Sequence, residues 1–260
     1  MRKISMLVLG TILILFALPI LLLIAASFVQ GDLMASLQAN DGEILFTLSR
    51  WREVFADEDM MLRFQNSLKI TGYSLLFQIP VGLLGGLFLA RSHGKGAKIL
   101  LVLMLLMLLL PFQSIMVPVF RFSKWAQLYD THLAVILLQV FAPLGPLVVW
   151  LLIRQVPQEQ WEAALIDCSS QTKIFFRAIL PQLIPGLAVL VLLCFAESWN
   201  LIEQPLILLH EASLLPASMA LNDMKGSAAN YAGAVMYSLP ILILYGFAGA
   251  VFYRTKNEVF

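Results

Sequence analysis

Six stretches of this chain are long and apolar enough to cross a bilayer. They are Ser5–Val29, Ser67–Ala90, Ile99–Phe120, Leu133–Ile153, Leu183–Leu209 and Ala232–Tyr253. A hydrocarbon core of about 30 Å is spanned by about 20 helical residues. Inside it an α-helix satisfies every backbone N–H and C=O within its own segment. The expected fold is therefore all-α: a polytopic membrane protein with six transmembrane helices, forming one domain over residues 1–260. Composition agrees, with 60% hydrophobic and 13% charged residues, against about 25% charged in a soluble domain.

The formal net charge of +1 points to no partner, and the chain lacks the clustered basic face that a nucleic-acid binder needs. Two cysteines, Cys168 in a polar insert and Cys194 in an apolar run, make neither a disulfide framework nor a metal site. The first apolar run follows Arg2 and Lys3 as a signal peptide would, but it exceeds an h-region of roughly 7–15 residues. It reads as a retained anchor. Pro19, Pro80, Pro111, Pro118, Pro143, Pro146, Pro205 and Pro240 interrupt the spans. They fit either a bundle that lines a pathway or simple packing kinks. Gly82, Gly85 and Gly86 suit close helix packing.

Lysine and arginine set the expected orientation. Arg2, Lys3, Arg91, Lys95, Lys98, Arg154, Lys173, Arg177, Arg254 and Lys256 fall on one side if both termini are cytoplasmic. The opposite loops hold most of the acids, among them Asp57, Glu58, Asp59 and Glu211. Within the loop 30–66, Trp51, Val54, Phe55 and Leu62 recur near helical spacing, as in a helix lying along the interface.

The polar stretch between spans four and five is the most informative. Pro157 can open a helix, and EQWEAAL from Glu159 favours one. Trp161, Ala164 and Leu165 share a side, while Ala163 and Ala164 keep the surface shallow. Asp167-Cys168-Ser169-Ser170 suggests a turn, and a second amphipathic piece follows from Thr172 to Leu180. Pro181 and Pro185 bracket the return to the membrane. Residues 157–181 thus read as a cytoplasmic helix–turn–helix.

The spacing E-A-A-x-x-D-C with F, L-P and P beyond, Glu162 to Pro185, closely resembles the EAA loop of bacterial ABC importer permeases. QNSLKITGYSLL, PFQSIMVPVF, FAPLGPLVVWLLIRQVPQE and ESWNLIEQPLILL extend the resemblance over roughly 65–219, the last toward the carbohydrate, maltose-permease-like branch. Cys168 stands where the family usually has glycine. A turn there with positive φ would cost a cysteine of order 1 kcal/mol.

The resemblance implies a permease subunit of an ATP-driven, solute-binding-protein-dependent importer of a sugar or oligosaccharide, working by alternating access. It implies a coupling site of Glu162, Ala163, Ala164, Asp167, Cys168, Phe175, Leu180 and Pro181. It implies a second permease, two cytoplasmic ATPase subunits carrying the ATP and Mg, an external binding protein and a bacterial cytoplasmic membrane. This chain itself would bind no cofactor and would not be an enzyme. No G-x-x-x-x-G-K-[ST] loop is present. His93, His132 and His210 have no metal-ligand spacing, and no nucleophile–base arrangement appears.

Glu197 is an intramembrane carboxylate and so a functional candidate, with packing as the equal alternative. Trp199, Asn200, Glu203 and Gln204 could join it along a sugar pathway, Trp199 by stacking on a ring. The alternative function is a stand-alone secondary transporter or channel driven by an ion gradient. It would need no ATPase, and the EAA-type loop argues against it.

Overall fold

The computed structural model describes residues 2–29, 46–92, 94–167, 170–223 and 230–259. These are almost entirely helical, with a single isolated bridge between Val29 and Phe46. Among the described residues five helices are long and apolar enough to cross a membrane, or six if one sharply bent pair counts as a span. The chain is thus an all-α polytopic membrane protein. Contacts divide it into two compact units, residues 1–65 with 216–240 and residues 66–215 with 241–260.

In the first unit α1 (Arg2–Ser27) precedes a short helix, α2 (Ser49–Ala56), and the start of α3 (Glu58–Arg91). Val54 and Met60 bury against Ala220, Ala232 and Met236, with Trp51 packed at the edge. Arg50 is buried here; its Nη1 donates to Ala26 O at 2.6 Å, and its guanidinium lies 5.2 Å from the Tyr231 ring centroid. The amphipathic stretch expected to lie along an interface is instead partly core: Val54 is 1% exposed, whereas Phe55 is exposed. Asp57, between α2 and α3, caps the longer helix by accepting from Met60 N–H.

In the second unit α3 continues to Arg91, followed by α4 (Lys95–Leu109) and α5 (Phe112–Trp125). These last two meet at Leu110–Pro111 with a bend of 106°, so the expected span Ile99–Phe120 is not one straight rod. Pro111 lacks the N–H that would carry the helix through. α6 (His132–Val140) and α7 (Leu144–Gln155) together make one span, interrupted at residues 141–143, with Pro143 at the break and Pro146 in the first turn of α7. α3 crosses α7 at small residues: a Cβ on Gly82 would lie 3.2 Å from the Gly145 carbonyl carbon, and one on Gly86 2.5 Å from Val149 Cβ. Only glycine lets two backbones come this close.

The fifth expected span, Leu183–Leu209, is displaced toward the N-terminus, and the apolar helical run covers Phe175–Trp199. Asn200 ends it by donating its side-chain amide to Ala196 O at 2.8 Å. A short helix, α11 (Glu203–Leu208), then starts afresh. Two cores result in this unit. One gathers Val149, Ile153, Ala164, Ile174, Ile179, Leu183, Leu190 and Cys194; the other gathers Ile70, Val135, Val140, Leu201 and Leu208.

Candidate functional site

The polar insert folds as α8 (Gln158–Asp167), then α9 (Gln171–Ile174), a π-helical turn (Phe175–Ile179) and α10 (Leu180–Trp199). The helical path from Gln171 runs into the span without interruption at Pro181 or Pro185. Pro181 has no N–H to offer the Arg177 carbonyl. The register slips by one residue just before it, so that Leu180 N–H bonds to Phe175 O. Such π turns widen the helix and recur at functional positions.

The insert is seated on the chain's own membrane core. Ile174 and Ile179 are buried in the cluster formed by Val149, Ile153 and Leu183, and Phe175 is packed at its margin. Ala164 is buried there too, 8% exposed, so its small side chain admits the chain's own core rather than a partner's surface. Glu162 points outward, its Oε1 accepting from Gln158 Nε2 at 3.0 Å. Leu180 is half-buried and Pro181 exposed. Phe176 is exposed and meets Phe175 edge to face. Cys168 lies outside the described residues, as do the side chains of Ala163 and Asp167. Trp161 is clamped from the far end of α3, where the Arg91 guanidinium stands 4.6 Å over its ring.

A cavity of about 660 Å³ lies between the bent pair α4–α5 and the interrupted span α6–α7. Its lining is mainly apolar, with Gln139, Glu197 and Gln204 as its chief polar groups and the broken segment Phe141–Pro143 at its wall. Irregular backbone at membrane depth is tolerated where it lines such a space. Of the expected pathway residues, Glu197 and Gln204 line the cavity. Glu203 accepts a hydrogen bond from Gln113 Nε2, and Asn200 caps α10. Trp199 is 1% exposed with its ring stacked on Phe195, which leaves it no face for a sugar.

Gln139 was not anticipated from sequence. It is buried, and its Oε1 has no hydrogen-bond partner among the described residues. The same holds for Thr71 Oγ1, Ser74 Oγ and both amide atoms of Gln78, spaced i, i+3, i+7 on one face of α3. A polar triplet at that spacing inside an apolar span was the available signal.

At the other end of this unit the loop 209–215 is pinned by side chains. Asp130, in the left-handed region with φ 62°, accepts from His210 N–H at 2.7 Å and Glu211 N–H at 3.0 Å. Those two backbone donors, with a lesser push from the nearby His210 ring, hold its carboxyl below the usual aspartate value against a small desolvation effect. Its own N–H donates to Leu208 O at 2.9 Å. His132 Nε2 lies 2.9 Å from Leu214 O, and buried Asn66 donates to Ser213 O and Leu215 O. In the sequence His132 and His210 stand out only as histidines without metal-ligand spacing.

Residues 82–257 match the family model described as binding-protein-dependent transport system inner membrane component. The arabinooligosaccharides transport system permease protein AraQ of Halalkalibacterium halodurans is 30% identical over 240 residues, 88% of this chain and 85% of that protein. The melibiose/raffinose/stachyose import permease protein MelC of Bacillus subtilis is 31% identical over 191 residues, 70% of this chain and 69% of that one. A chain from the crystal structure of a bacterial ABC transporter involved in import of the acidic polysaccharide alginate superposes with a TM-score of 0.79. It covers 96% of each chain at 18% identity, a likeness of fold. The helical membrane architecture, the match over most of the chain and these relatives agree: the chain belongs to the family of binding-protein-dependent transport system inner membrane components, the permease subunits of ABC importers.

Proposed function

We propose that this permease imports a sugar or oligosaccharide, and that a cytoplasmic ATPase subunit drives it by gripping the helix Gln158–Asp167. The observation that carries the coupling half is the seating of the insert. Its inner face is continuous with the core of α7 and α10, while Glu162 on its outer face is exposed. A push on that outer face would pass into two spans without first deforming a floppy linker. Glu162 and Asp167 would supply carboxylates to the ATPase surface, with Ala163 and Cys168 between them. Phe175, Leu180 and Pro181 would join the moving helix to the span.

The sugar half is supported by the relatives, whose names specify arabinooligosaccharides and melibiose, raffinose and stachyose. Glu197 and Gln204 would offer hydrogen-bond partners to hydroxyl groups from the cavity wall, with Asn200 and Glu203 nearby in the chain. In the assembly we infer, this chain pairs with a second permease, two ATPase subunits holding ATP and Mg, and an extracytoplasmic solute-binding protein. It lies in a bacterial cytoplasmic membrane with both termini inside, and binds no cofactor itself.

Replacing both carboxylates, Glu162→Lys with Asp167→Lys, tests the coupling. The expected result is loss of ATPase co-purification and of ATP-driven uptake while the permease still accumulates in the membrane. Normal uptake by that variant would sink the docking assignment. Uptake by the purified chain alone in vesicles, driven by an ion gradient, would favour a secondary transporter instead.

A further inference from the structure

Arg91 and Arg154 line one cavity of about 460 Å³, together with Trp161, Gln158 and Glu162. Arg91 is the last residue of α3 and Arg154 lies in the last turn of α7, so both stand where a membrane span stops. Each guanidinium rests over an indole: Arg91 4.6 Å from the Trp161 centroid and Arg154 5.2 Å from that of Trp150. Neither has a carboxylate within ion-pair distance among the described residues. Glu162, the one acid among the described lining residues, accepts from Gln158 Nε2. Among those residues two cations stand against one anion, and Lys95 and Lys98 follow on α4.

Each span carries exposed apolar side chains just before its arginine. Leu84 and Phe88 precede Arg91 at helical spacing on α3, and Leu151 precedes Arg154 by one turn. Apolar side chains capped by arginine and tryptophan suit the boundary between acyl chains and headgroups. A soluble protein surface would have no use for those apolar side chains.

We propose that this cavity binds the phosphate of an anionic phospholipid headgroup, with an acyl chain lying along Leu84 and Phe88. The two guanidiniums supply charge-assisted hydrogen bonds to the phosphate oxygens. Because Arg91 also stacks on Trp161, the headgroup touches the helix proposed to carry the ATPase. The lipid site depends on the membrane-spanning fold and not on the cargo or the coupling assignment.

Native mass spectrometry of the detergent-purified full chain, titrated with phosphatidylglycerol or phosphatidylcholine of matched tails, reads the site. Wild type is expected to retain phosphatidylglycerol in preference. Arg91→Gln with Arg154→Gln should lower that preference roughly thirtyfold, about fivefold for each surface cation. Arg91→Lys with Arg154→Lys should keep most of it, and so should Lys124→Gln elsewhere in the chain. Free glycerol phosphate, which has the headgroup charge without tails, should not displace the lipid. Equal retention of the two lipids by wild type overturns the proposal, as does an unchanged preference in the glutamine variant. Displacement by glycerol phosphate at matched concentration overturns it in favour of a soluble phosphate. If the glutamine variant does not purify, the wild-type lipid preference and the glycerol phosphate competition decide the matter.

Discussion

At the Asn66 end of the second unit, side chains reach backbone. Asn66 from one place in the chain and Asp130 and His132 from another hydrogen-bond the loop 210–215. At the Arg91 end, about 38 Å along the same helix, the insert 158–180 is held by Ile153, Ile174, Ile179 and Leu183 and by one arginine–indole contact. Hydrogen bonds are directional and fix a single register. Apolar contact is not directional, but a close-packed core transmits strain. The pinned end is therefore suited to hold a loop in place, and the packed end to pass a movement into the spans.

Substitutions at four positions, and a change of pH, can break this contrast. The largest effect is expected at Ile179→Ala, which empties a fully buried site under the π turn and should cost about 2–5 kcal/mol. Chemical denaturation of the detergent-solubilised chain measures it, and a loss under 1 kcal/mol would mean that apolar packing does not hold the insert. Next is Gly86→Ala. Its Cβ would stand 2.8 Å from Trp150 N, a backbone atom that cannot swing aside. About 1–3 kcal/mol should be lost. Gly186→Ala should cost less, since its Cβ meets only the end of the Leu152 side chain.

Third, Asp130→Ala should speed amide exchange at His210 and Glu211 and leave exchange in 158–180 unchanged. Asp130→Asn should be the milder change, because asparagine keeps an acceptor oxygen and tolerates a positive φ. Faster exchange in the insert would show the two ends to be one unit. The smallest effect is that of pH. Burial and charge changes apart, Asp130 has a folded-state pKa below its unfolded value. Its contribution is therefore fully present above the ordinary aspartate pKa of about 3.9. It is lost as pH falls through the lower folded-state value. Protection at His210 and Glu211, corrected for intrinsic exchange, should hold from pH 7 to 5 and fade only below 4. Fading well above pH 4 would show that Asp130 does not carry this protection.

The insert shows how far the sequence could be read. Its helix from Gln158 was legible because EQWEAAL combines strong helix formers with a proline ahead of them. The direction of Ala164 was not. A small residue suits close approach by any surface, and nothing local says whether that surface is a partner's or the chain's own. Trp199 failed for a similar reason: an indole beside polar residues can meet a sugar or pack, and stacking on Phe195 decided the matter. The pinning of 210–215 by Asn66 and Asp130 was illegible, since its partners are 80 residues or more apart in the chain.

The sequence by itself determined that this chain lives in a bilayer, that it is helical, and that a polar helix interrupts its spans. Each of these depends on hydropathy and spacing over tens of residues, where local chemistry suffices. The tertiary structure decided where the spans bend and break, which face of the insert is core, and which polar groups share a cavity. Those depend on contacts between distant segments, where a glycine, a missing proline N–H or a buried amide takes its meaning only from the neighbour it meets.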